Sequence, residues 1–387
     1  MSTLMRMTIL TLLLLCGSGF YGTWYILLNN GTTAYMSQIR DVGPRYLPGT
    51  FEPVKTVYIG IPSINYQLTV LTLFFWQLVD GSHPSASLFS FHFATQVACG
   101  WGLLMMEGLR RGHRWKIISF IGTLGILVQN LAYAVIVPIY LIIYFLTTPL
   151  LSSKRLEKYT VEKSSTLAIP ISIVLGYMIP AILMSLPAPS IITFDQKQTF
   201  IAVWQMFPLW VAILQAILPY SIAALMPASP EPSKHSGPTE LNAMRQVYAI
   251  LLMFAGIGQT ATATILALLA WFPELFAPEV RSVFDARSVL VPMAATPATR
   301  MPSIGDGAFL LLQYDELVGS MSMASWASIM YLVARQQIRS QQSIVAVVLV
   351  GFAAMVCTGP LGFCVACIWA RDELIARKGD WMEQKSE

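Results

Sequence analysis

Three acidic residues lie where acids are expensive. Asp315 and Glu316 sit inside the apolar stretch 309–334, and Glu107 closes the apolar stretch 88–107, which also carries His92 and Gln96. Charge at bilayer depth is costly, so such residues face a protein-lined cavity and serve it. Two neighbouring carboxyl groups in a low dielectric do not both ionise readily, and a carboxyl kept neutral is a proton donor. A catalytic acid, an ion relay and a paired structural charge all fit this pattern.

Helical periodicity groups the neighbours of these acids. At 100° per residue, His92, Gln96, Leu103 and Glu107 fall within about 60° of one another, with Gly100 at the edge of the arc. The competing reading pairs Glu107 with Arg110 or Arg111 and lets His92 and Gln96 bond across helices. Gln129, Tyr133, Val137, Tyr140 and Tyr144 share a second face, with Asn130 adjacent. Aromatic faces stabilise cations by roughly 0.5–2 kcal/mol each, and ordinary aromatic packing has the same look. Asp315 shares a face with Gly319, Ser322 and Trp326, whereas Glu316 lies about 100° away. Asp80, followed by His83, reads as a cap for the next helix rather than a catalytic group.

These residues need a membrane bundle to position them. Hydrophobic residues make up 55% of the 387 and charged residues 11%, against roughly a quarter charged in soluble domains. The expected fold is an all-α polytopic transmembrane bundle, a single integral-membrane domain over residues 1–387. About nine spans of the required ~20 residues emerge, near 7–28, 64–80, 87–108, 117–148, 167–186, 199–226, 245–271, 308–334 and 343–370. The fourth is long and is expected to tilt, to kink near Pro138, or to be two short spans. The first is expected to be retained as a helix or signal anchor. Residues 227–239 read as a flexible linker, and 29–63 and 272–305 as long loops that cap a site or merely connect. With nine spans the 24 Lys and Arg residues divide roughly 15 to 9, which favours a cytoplasmic C-terminus and a lumenal N-terminus.

Several signals are missing. The basic cluster Arg110, Arg111, Arg114 and Lys116 comes without a nucleic-acid module and suits a membrane surface instead. Cys364 and Cys367 have CxxC spacing with no second ligand pair, so neither a metal nor a cofactor is expected. The spans hold no Asp-Asp-x-x-Asp run and no Asn-x-x-x-Asp pair to bind magnesium diphosphate. No GxSxG elbow, Walker loop, Rossmann fingerprint or HExxH occurs either. Acid–base chemistry on a lipophilic molecule, or transport, remains.

At Met106-Glu107-Gly108-Leu109-Arg110-Arg111-Gly112, Gln129-Asn130-Leu131-Ala132-Tyr133-Ala134 through Pro138-Ile139-Tyr140, and Leu312-Gln313-Tyr314-Asp315, the chain resembles fungal integral-membrane terpene cyclases of ascochlorin, ascofuranone and macrophorin type. The resemblance implies cyclisation of a prenyl chain, usually farnesyl, on a phenolic or quinone-like head. Such a reaction begins by protonating a terminal epoxide or alkene, without loss of diphosphate. In that reading Asp315, Glu107 and Glu316 are the candidate acids. His92, Gln96, Gln129 and Asn130 orient the acid or bind the polar head, and Tyr133, Tyr140 and Trp326 line the folded chain. The partners are a prenylated small molecule and membrane lipid, in the endoplasmic reticulum. The alternative is a proton-coupled transporter of small lipophilic or organic molecules, and a third is a non-catalytic scaffold whose acids are paired with no cavity between them.

Overall fold

The computed structural model describes residues 3–150, 156–226, 236–284, 286–338 and 343–383. Helices dominate, and no named strand occurs among the described residues. The elements that matter here are α1 (Thr3–Asn29), α2 (Pro62–Val79), α3 (Pro84–Leu109), α4 (Ile121–Leu131), α5 (Tyr133–Thr147), α6 (Lys163–Ser185), α7 (Phe194–Gln205), α8 (Phe207–Leu225), α9 (Ser236–Trp271), α10 (Ile304–Ile338) and α11 (Ile344–Glu383). Seven of them, α1, α3, α6, α8, α9, α10 and α11, contain stretches long and apolar enough to cross a bilayer. Exposed large side chains such as Leu13, Leu14, Ile182, Ile217, Val348 and Phe352 suit a lipid-facing surface. The linker expected over 227–239 lies outside the described residues up to 235, and its last four residues open α9.

Two expected spans fold back on themselves. The fourth breaks at Ala132, which has φ 75°, rather than at Pro138, which lies inside α5. Its halves hold 11 and 15 residues, about 16 and 22 Å, short of the ~30 Å hydrocarbon core. They run side by side. Tyr140 donates to Ile118 O at 2.9 Å, His113 Nε2 meets Thr148 Oγ1 at 2.7 Å, and Lys116 Nζ donates to Thr147 O at 2.6 Å. Both ends of this hairpin therefore lie on one face.

The ninth expected span breaks at Gly359 (φ 71°, ψ −175°), just before Pro360. A Cβ on Gly351 would stand 3.1 Å from the Phe363 ring. Twelve residues of straight helix would separate those positions by about 18 Å, so α11 is also a fold-back. Gln96 fills the break: its amide nitrogen donates to Thr358 O (3.1 Å) and Ala255 O (3.3 Å), and its Oε1 accepts from Leu361 N (3.1 Å). A break at membrane depth is tolerated where such partners satisfy the freed backbone groups.

These fold-backs change the topology. Segment 30–83 begins and ends on one face, because Met301 N donates to Asn30 O (3.0 Å), Gly305 N to Gln77 Oε1 (2.8 Å), and His83 meets Asp306 at 3.0 Å. The opposite face carries the Glu107 end of α3, the start of α1 and the C-terminal half of α11. The two ends of the bundle therefore share a face, which corrects the opposite-sided expectation. Among the described residues, seven Lys and Arg (Arg40, Arg45, Lys55, Lys197, Arg281, Arg287 and Arg300) belong to the loop face and the other twelve to the terminal face.

On the loop face, α2 and α7 pack together beneath segment 46–58. Lys197 is 1% exposed and donates to Val79 O (2.7 Å) and Leu186 O (2.8 Å), closing the C-terminal ends of α2 and α6. Burial pulls its ammonium down to about 8. Asp80 holds the following turn through Ser82, and the cap of α3 is His83, which accepts from Ala86 N at 3.4 Å. Asn30, a formal glycosylation acceptor, is 1% exposed and accepts from Thr32 N.

Candidate active site

A cavity of about 450 Å³ lies under α2, within the 300–1,000 Å³ range of small-molecule sites. Its walls come from α1 (Trp24, Leu27), segment 33–40, α2, α3 (Phe93, Gly100, Trp101, Leu104), the tip of the α4–α5 hairpin (Val128–Tyr133), α6 to α8 (Tyr177, Trp204, Phe207), α10 (Leu311, Leu312, Asp315) and the turn of α11 (Leu361). Both fold-backs thus deliver their tips to one chamber. The aromatic wall is continuous: Tyr177 and Phe207 stand 4.7 Å apart edge to face, Trp101 and Phe207 5.5 Å, and Phe93 and Tyr133 6.2 Å.

Asp315 is the carboxyl among the lining residues, 7% exposed. Its Oδ1 accepts the backbone N–H of Ala134 at 2.7 Å, in the first turn of α5. That donor is free because Ala132 breaks the helix there and leaves the opening amides of α5 without intrahelical acceptors. No ion pair to Asp315 forms among the described residues. One turn along α10, Gly319 makes room for Tyr133: a Cβ at 319 would lie 2.1 Å from the ring. The Tyr133 hydroxyl and the Gln129 amide nitrogen are buried with no hydrogen-bond partner among the described residues, and both residues line the cavity. Buried polar groups are rarely left so, and a bound polar group would satisfy them. Asn130 also lines the cavity, but its amide turns back to Ile126 O at 2.7 Å.

The other expected site residues lie elsewhere. Glu107 is fully buried and does not line the cavity. Its Oε1 lies 2.6 Å from Arg110 and 2.8 Å from Arg371, and its Oε2 accepts from Tyr144 at 2.7 Å. Asp372 completes the cluster, 2.8 Å from each arginine and 2.6 Å from Tyr248. Two acids and two guanidinium groups, all at 0–1% exposure, form a neutral knot tying α3, α5, α9 and α11 together. Glu107 is thus paired, as the competing reading of the sequence had it, and lies outside the cavity that Asp315 lines. His113 sits against this knot, with Nδ1 2.6 Å from Glu107 O. Burial pushes its imidazole down to about 4.

Glu316 points away from the cavity and lies 3.1 Å from His92 Nδ1, an ion-pair contact out of line for a hydrogen bond. His92 Nε2 meets Gln259 Oε1 at 2.9 Å. Gln96 serves the α11 break. Tyr140 is spent on Ile118 O. Trp326 stacks edge-on against Tyr144, 5.4 Å between centroids, beside the charged knot. Of the ten residues expected at the site, the structure brings four to the cavity: Asp315, Gln129, Asn130 and Tyr133. Sequence reasoning missed Arg371 and Asp372, whose only signal was a charged pair continuing an apolar run. It also missed the tryptophan and phenylalanine wall, which periodicity could not tell from packing.

The CtvD domain family matches residues 5–376. Terpene cyclase ascI of Acremonium egyptiacum is 27% identical over 334 residues, covering 85% of this chain and 83% of that protein. Terpene cyclase ctvD of Aspergillus terreus is 28% identical over 85% of this chain and 89% of its own. Terpene cyclase janA of Penicillium janthinellum is 27% identical over 93% and 92%. No solved structure matches the chain.

Proposed function

The chain belongs to the CtvD domain family, and from that premise we propose that it is a membrane terpene cyclase of fungal meroterpenoid type which starts its reaction by protonation at Asp315. The substrate is a prenylated, farnesyl-type phenol or quinone-like molecule that enters from the lipid. Asp315, as the neutral acid, gives its proton to a terminal epoxide oxygen or alkene carbon. An epoxide C–O bond opens, or a tertiary cation forms, and internal double bonds attack in turn. The last cation loses a proton or is trapped by a substrate oxygen that releases one. That proton restores the acid, so the net reaction is an isomerisation. Tyr133, Phe93, Trp101 and Phe207 present π faces to the moving charge. The apolar walls limit water, which would end the cascade early. Gln129 and the Tyr133 hydroxyl orient the acid or an oxygen of the substrate.

The observation that carries this reading is a lone buried carboxyl, without a cationic partner among the described residues, set in an aromatic cavity. Asp315→Asn in microsomes supplied with farnesyl phenol and its terminal epoxide should abolish cyclised product while leaving the protein in the membrane at wild-type level. Turnover retained by the variant would remove Asp315 as the acid. The basic residues of the terminal face, Arg110, Arg111, Arg114 and Lys116 among them, favour that face as cytoplasmic, in an endoplasmic reticulum setting. Proton-coupled transport is a second reading because two broken hairpins converge on the cavity that Asp315 lines, as half-helices do in some carriers. Proton-driven uptake into proteoliposomes with no product formed would favour it.

A further inference from the structure

The loop-face end of the cavity holds a built cationic corner that the chemistry above leaves unused. Arg40 is the basic side chain among the lining residues. Its Nε donates to Asp41 Oδ1 at 2.7 Å and its Nη2 to Oδ2, a side-on pair. The guanidinium carbon lies 4.0 Å from the Tyr66 ring centroid. Asp41 stands outside at 52% exposure, whereas Arg40 is turned inward at 13%. The carboxylate and the ring fix the guanidinium plane and occupy Nε and Nη2. Nη1 makes no hydrogen bond among the described residues, although a guanidinium has donors there in fixed geometry.

The cavity is therefore polarised. Ser37 and Tyr66 are lining residues with exposed surface and mark a mouth beside Arg40. Leu104, Phe207 and Leu361 are buried at 0–3% exposure and mark an apolar interior. A molecule that fits both regions is a hydrocarbon chain ending in an acidic oxygen.

We propose that Arg40 binds the head of the substrate, taking a phenolate or carboxylate oxygen of a prenylated aromatic through Nη1, with Asp41 and Tyr66 as positioning residues. The prenyl part of this assignment rests on the cyclase reading; the anion-binding part does not. Arg40 stays charged at any working pH. Asp41 already neutralises part of its field, so the preference for an acidic head is moderate, about tenfold, as expected of one charge-assisted hydrogen bond.

The test is a binding titration on the purified full-length chain in detergent micelles, followed by tryptophan fluorescence, since Trp24, Trp101 and Trp204 line the cavity. The probes are a farnesylated dihydroxybenzoic acid and its fully methylated ester. Wild type should bind the acid about tenfold more tightly than the capped probe, and added salt should weaken only the acid. Arg40→Gln should abolish the preference without changing affinity for the capped probe. Equal weakening of both probes by Arg40→Gln, or no preference in wild type, overturns the proposal. If Arg40→Gln does not fold, wild-type preference and salt dependence decide. An Arg40-dependent preference with no cyclised product from any prenylated substrate would refute the cyclase reading and leave the head site standing.

Discussion

Removing the charge of Glu107 should lower the stability of the protein. Glu107 sits 2.6 and 2.8 Å from two guanidinium groups, at zero exposure. At an effective dielectric of 20, each contact is worth roughly 6 kcal/mol of Coulomb attraction. Much of that offsets the desolvation of the three ions. In Glu107→Gln the buried carboxylate is gone, and Arg110 and Arg371 are left with Asp372 alone. Breaking a buried pair by removing one partner costs about 3–5 kcal/mol, because the stranded charge stays in low dielectric. In a chain of this size that corresponds to roughly 4–6 °C in Tm. The assay is thermal unfolding of detergent-solubilised protein followed by size-exclusion chromatography. Asp315→Asn serves as the contrast, since it has no ionic partner and should stay within about 1 kcal/mol of wild type. A second contrast is Glu107→Gln with Arg371→Gln, which restores neutrality and should recover part of the loss. Should Glu107→Gln keep the wild-type Tm yet form no product, the knot is not structural and Glu107 belongs to the chemistry.

Two further outcomes follow from the geometry. Gly319→Ala places a methyl group 2.1 Å from the Tyr133 ring; it should cost about 1–3 kcal/mol by overpacking and change the product profile, because the ring and the α5 tip both shift against Asp315. An unchanged profile from product analysis would separate Tyr133 from the reacting chain. His113 is held neutral in the fold, near 4 against an ordinary 6.5, so the unfolded chain binds more protons between those values and stability falls as pH drops from 6.5 to 4, by up to about 3 kcal/mol. Unfolding midpoints across that window should lose this slope in His113→Asn; a slope kept intact would assign it to other groups.

The sequence alone determined the solvent of this protein and the kind of element it uses. So apolar a chain belongs in lipid, where only helices and closed barrels satisfy the backbone, and apolar runs of ~20 residues select helices. It also marked Asp315 as an acid that needs a cavity, and the missing diphosphate and nucleophile motifs narrowed the chemistry before any contact was known. Tertiary structure decided which acids are free. Glu107 and Asp315 look alike as carboxyls in apolar runs; Arg110, three residues on, is a partner the sequence offered, but the second arginine on Glu107 lies 264 positions away, beyond any local pattern. Hydropathy likewise measures only how apolar a segment is. It gives the same signal whether 30 residues cross the bilayer or turn back at Ala132 or Gly359. The turn is settled by backbone angle and by partners such as Gln96 and Asp315 on other helices, and with it the cavity that both tips complete.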